Sequence, residues 1–167
     1  SSTSRGLGDV YKRQVEKQSI TLISASKAFN LPAIGGLSLA IIPNPEIRLA
    51  FQNKAYGVAT HPGALAYAAT LAAYKDCDDW LLQTIRYLRG NRDYLEAEIA
   101  NMEGLSMTHA EATFLAWIDV SNLGLMSPVS TFLAHGVDLS DGTEMGRADH
   151  VRLNFACHRS TLEEVVR

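Results

Sequence analysis

The chain has 167 residues, 47% of them hydrophobic and 20% charged, with a net charge of -3. That suits one well-filled domain or two small ones sharing a core; it argues against a basic nucleic-acid surface, and no apolar run reaches the roughly 20 residues a membrane helix needs. Cys77 and Cys157 stand far apart without a C-x-x-C spacing, so reduced thiols in a cytoplasmic protein are expected, with neither a disulfide framework nor a metal site.

Residues 1–14 carry neither a helical nor a strand period. The tail Asp9-Val-Tyr-Lys-Arg-Gln14 resembles a translated adapter remnant, so this segment is expected to be a non-native leader. The chain would then be a C-terminal piece of a longer protein. Ser19–Ala25, dominated by Ile20, Leu22 and Ile23, reads as a buried strand. At its end comes Ser24-Ala-Ser-Lys27-Ala-Phe-Asn30, before the pair Gly35-Gly36. A lone lysine there, between hydroxyls, could form a Schiff base, and the hydroxyls and turn N–H groups could hold a phosphate. A solvated turn explains the same residues.

Leu37–Ile42 reads as a second buried strand, stopped by Pro43. Strands apolar on both faces imply a parallel sheet flanked by helices. Asn44-Pro45-Glu46 is a helix start, with Asn as cap and Pro in the first turn. A second helix opens near His61-Pro62 with an alanine-rich body. A third is marked by Leu81, Ile85, Leu88, Leu95, Ile99 and Met102 at spacings of three and four, with Arg92 as the one break. Thr113–Ile118 is a near-continuous apolar run, Pro128–His135 a short helix, and Asp141-Gly142 a turn. Ser160-Thr-Leu-Glu163 is a capping box opening a last helix.

In Val151-Arg-Leu-Asn-Phe155 the strand period of two puts Val151, Leu153 and Phe155 on one face, Arg152 and Asn154 on the other. An arginine beside an amide on a sheet can clamp a carboxylate. A solvated arginine on a half-exposed strand is the simpler reading of these residues alone, and Arg159 competes for any anion.

Together, the lysine run through Gly36, Ile41–Asn44, Ala112–Asp119 and Val151–Glu164 resemble the C-terminal part of a pyridoxal-phosphate enzyme of the aminotransferase class I/II superfamily. The resemblance is nearest to the cystathionine β-lyase-type C–S lyases and spans nearly all of residues 15–167. It implies a fold type I α/β architecture, with residues 15–75 from the large cofactor domain and 76–167 forming a small α+β domain. It further implies pyridoxal 5'-phosphate held by Lys27, with Ser24 and Ser26 on its phosphate, Arg152 on the substrate carboxylate, and a homodimer.

The aspartate aminotransferase branch carries a phosphate-binding arginine a few residues after the lysine. Ala33-Ile-Gly-Gly36 has none, as in the lyase-like branch. Where relatives often read Pro-Gly…Phe-Gly, this chain has Asp141-Gly-Thr-Glu-Met-Gly146, which would bring Glu144 and Met145 near the cofactor mouth. The family's pyridine-nitrogen aspartate, ring-stacking aromatic and most of its phosphate turn are expected upstream of residue 15. Activity is therefore expected of the whole protein rather than of residues 1–167 alone. An aminotransferase and a non-catalytic module are the competing expectations.

Overall fold

The computed structural model describes residues 18–32, 37–59 and 61–167. The expected leader at 1–14 and the glycine pair Gly35-Gly36 lie outside them. Two compact units divide the chain between Leu81 and Leu82.

The first unit contains β1 (Thr21–Ser24), the one-turn α1 (Ala25–Ala28), β2 (Ser38–Ile41), α2 (Pro45–Ala55) and α3 (Ala64–Asp76). Asn44 caps α2 as its sequence requires, with Oδ1 accepting from the N–H groups of Glu46 and Ile47 at 2.9 and 3.4 Å. α3 opens two residues after Pro62, from Gly63.

Both apolar strands exist, but their setting corrects the expectation. They pair antiparallel, from Thr21 opposite Ile41 to Ser24 opposite Ser38. A parallel pair needs a crossover that returns the chain to its starting end. Here the link begins with a single helical turn and a left-handed Asn30 (φ 50°). The strands are also exposed rather than buried, Leu22 at 68%, because no layer among the described residues of this unit covers their faces. The unit's core lies at the turn beyond Lys27. Ala25, Phe29 and Ala73 are buried there, with Leu31, Cys77 and Leu81 packed against them. Phe29 meets Tyr74 edge-on at 5.3 Å and stacks with Trp80 at 6.4 Å, which fixes the segment carrying the lysine.

The long helix α4 (Asp78–Ala100) leads into β3 (Ser106–Met107), β4 (Leu115–Asp119), α5 (Pro128–Ala134), β5 (Ser140–Asp141), β6 (His150–Asn154) and α6 (Arg159–Val165). The second unit's antiparallel sheet runs β3-β4-β6-β5. One face, with Ala116, Ile118, Val151 and Leu153, joins Leu95 and Ile99 of α4 and Leu162 of α6 in the core. Phe155 and Leu162 are each 1% exposed, and burying such a side chain contributes about 1.5–3 kcal/mol. The fully buried Asn91 donates from Nδ2 to the carbonyls of Phe155 and Cys157, both at 2.9 Å, tying the chain after β6 to the helix. Arg92, the break in the apolar stripe, donates to the Ala110 carbonyl at 3.2 Å and pairs with Asp93.

The expected capping box is a second correction. α6 starts at Arg159, with His158 as a cap that makes no side-chain bond, so Ser160 already lies inside the first turn. The Asp141-Gly142 turn forms as a 3-10 helix over Gly142–Met145, capped by Asp141 and ended by a left-handed Gly146 (φ 86°). Gly142 is buried, and a β-carbon there would strike the carbonyl oxygens of Arg147 and His150. Backbone on both sides cannot swing away as a side-chain tip can. Gly142→Ala should therefore cost about 3 kcal/mol, the upper end for overpacking, read as a lowered urea midpoint with unchanged slope.

Candidate active site

At the lysine turn, Ser24 ends β1 in extended conformation (φ -148°) and caps α1, its Oγ accepting from the Ser26 N–H at 3.2 Å. The same Oγ lies 3.0 Å from Ser26 Oγ and 3.3 Å from the Leu37 carbonyl. One hydroxyl proton serves one acceptor at a time, so the two serines can reorient as a pair. Lys27 sits one residue on, exposed, with no carboxylate partner among the described residues. The structure thus brings Ser24, Ser26 and Lys27 together on one turn.

Arg152 belongs to the second unit. Residues Val151, Leu153 and Phe155 are buried and Arg152 is half-buried on the opposite face, as the strand period requires. Its register partners are Trp117 on β4 and Ser140 on β5, a row across three strands. Nη2 donates to Ser140 Oγ at 2.9 Å, and Nη1 lies 3.7 Å from Met145 Sδ. Among the described residues no carboxylate pairs with Arg152. By contrast, Arg147 grips both oxygens of Asp149 at 2.8 and 2.9 Å. Asn154, the expected neighbour, instead accepts from the Ala156 N–H at 2.9 Å and shapes the strand's end. Arg159 is not a free competitor, because its guanidinium lies 4.5 Å from the centre of the Tyr94 ring.

Sequence reasoning missed Ser140 and Trp117. β5 has two residues and shows no period, so only the pairing register reveals that Ser140 flanks the arginine. Met145 stood among the expected residues, and the structure gives it a partner in Arg152; Glu144 is exposed.

The loop carrying Met145 leads into an ionic cluster. Asp119, Asp149 and His150 offer ligand atoms within 4.8 Å of one another, but the cation among them is the Arg147 guanidinium. Hydrogen bonds from Arg147 and then His150 hold the Asp149 carboxyl far below its ordinary value of 3.8. A carboxyl depressed in the folded state adds stability above its unfolded value, and that stability is lost as pH falls below about 4. Urea midpoints should drop in that acid range, and Asp149→Asn should flatten the dependence.

The profile of the aminotransferase class I and II family matches residues 7–167. Cystathionine beta-lyase of Corynebacterium glutamicum is 28% identical over 151 residues, covering 89% of this chain and 40% of that protein. The crystal structure of OvoB superposes with a TM-score of 0.89 at 43% identity, over 92% of this chain and 40% of OvoB. Cystalysin from Treponema denticola, solved with pyridoxal 5'-phosphate, gives a TM-score of 0.83 at 27% identity, over 92% of this chain and 41% of cystalysin. The chain thus spans about 40% of the length of the relatives it matches.

Proposed function

Because this chain belongs to the aminotransferase class I and II family, we propose that the whole protein is a pyridoxal-phosphate-dependent C–S β-lyase acting on sulfur-containing amino acids. The observation that carries the amino-acid substrate in this reading is Arg152, a half-buried guanidinium on the sheet's open face with no carboxylate partner among the described residues. The names of the similar proteins, cystathionine beta-lyase among them, support a lyase. No membrane-spanning helix occurs among the described residues, and both cysteines are free. A cytoplasmic homodimer fits this reading, with residues 15–75 in the large domain and 76–167 in the small one.

The donor set at the lysine turn fits the cofactor. A primary amine suits an aldehyde, and paired hydroxyls 3.0 Å apart suit phosphate oxygens. When bound, pyridoxal phosphate supplies an electron-withdrawing ring that takes up the electron pair of the broken Cα–H bond. Lys27 would hold the cofactor through Nζ, and its free amine would take the proton from Cα. Ser24 and Ser26 orient the phosphate. Arg152 clamps the α-carboxylate, which fixes which Cα bond is presented. With the proton taken from Cα leaving on the departing sulfur as a thiol, and one water taken up, the products would be thiol, pyruvate and ammonia.

An aminotransferase would use the same Lys27 and Arg152, and the matched family is named for that chemistry while a matched relative is named a lyase. Products separate the two: pyruvate with free thiol for the lyase, a 2-oxo acid that depends on an amino acceptor for the transferase. Borohydride reduction of the cofactor-loaded whole protein, followed by peptide mapping, should place the pyridoxyl group on Lys27. A label on Lys54 or Lys75 would remove Lys27 from the site.

A further inference from the structure

The Arg152 guanidinium is flanked by two unlike side chains from a single stretch of chain. Ser140 Oγ accepts from Nη2 at 2.9 Å, and Met145 Sδ lies 3.7 Å from Nη1. Ser140 stands on β5 directly opposite Arg152, and Met145 ends the 3-10 turn that follows. We propose that Ser140 is a positioning residue for the carboxylate-binding arginine and that Met145 is its displaceable cover. The inference rests on Arg152 being that arginine.

The two partners differ in what they cost to replace. A hydroxyl is a good acceptor and pins one end of the planar fork. A thioether is a weak acceptor, so Nη1 gives up little when an incoming carboxylate takes the sulfur's place and makes charge-assisted bonds. Met145 is 41% exposed and has an unbranched, flexible side chain, so it can swing aside. Its backbone is held. Asp141 Oδ1 accepts from the Thr143 N–H at 2.8 Å, Gly142 is wedged between two carbonyls, and Arg147 grips Asp149 just beyond. A fixed turn with a mobile tip keeps the guanidinium aimed and its charge uncancelled. A carboxylate at position 145 would fill the place from within.

The test is calorimetric titration of the cofactor-loaded whole protein with L-alanine and with L-alaninamide, which keeps the amine and lacks the carboxylate. The preference for alanine isolates what the guanidinium contributes. Ser140→Ala should reduce that preference about tenfold, the worth of one hydrogen bond to a charged group. Met145→Glu should reduce it about a hundredfold by pairing with Arg152 internally. Arg152→Ala should abolish it. If Arg152→Ala keeps the preference, the carboxylate assignment itself is wrong. If Arg152→Ala loses it while either Ser140→Ala or Met145→Glu keeps the wild-type value, this inference alone is overturned.

Discussion

In the whole protein, Lys27→Ala should release the cofactor from covalent attachment and lower kcat by about 10²–10⁴-fold, the range for loss of a general acid–base group. The side chain is exposed on a one-turn helix and pairs with no carboxylate among the described residues, so truncation removes no packing. The core beside it, Phe29 against Tyr74 and Trp80, stays intact. Cofactor-free wild type and variant should therefore unfold at the same denaturant concentration, which separates lost chemistry from lost fold. The visible absorbance of the bound cofactor after gel filtration, with turnover in the same preparation, reads both effects. A variant that retains wild-type kcat would take Lys27 out of the reaction.

Arg152→Ala should reduce kcat/KM by on the order of 2–4 kcal/mol in transition-state stabilisation while leaving the cofactor spectrum in place. The loss should fall more on KM than on kcat, because such a clamp would hold the carboxylate in ground and transition states alike. Arg152→Lys should recover little, since an ammonium cannot reproduce the planar two-pronged contact. Stability should change little, because the core contacts of β6 are made by Val151 and Leu153 on the other face. Unchanged kinetics in Arg152→Ala would move carboxylate binding to another group.

The sequence was most legible where one local rule decides the outcome. Asn44-Pro45-Glu46 states a helix start in side-chain chemistry, and the period of two placed Arg152 away from Val151 and Leu153. It was least legible where distant residues decide. Leu22 and Ile41 look buried from composition alone, yet burial depends on a covering layer that their own sequence does not specify. Parallel and antiparallel pairing likewise depends on the path of the link, which strand residues do not encode. The capping box at Ser160 failed because His158 begins the helix two residues earlier, so a motif with correct spacing fell in the wrong frame. At the site, the lysine turn was readable because its residues are consecutive. Ser140 was not, because it reaches Arg152 only through strand register.

The order of the second sheet has a consequence for how the unit comes to exist. β6 stands between β4 and β5 and bonds to both, although it is made after either. During synthesis, where residues emerge at about 5–20 per second, β4 and β5 are made before the strand that joins them. Asn91 waits too, since the carbonyls it binds belong to Phe155 and Cys157. Completion of the sheet therefore depends on β6, and until it pairs, the facing edges of β4 and β5 stay open.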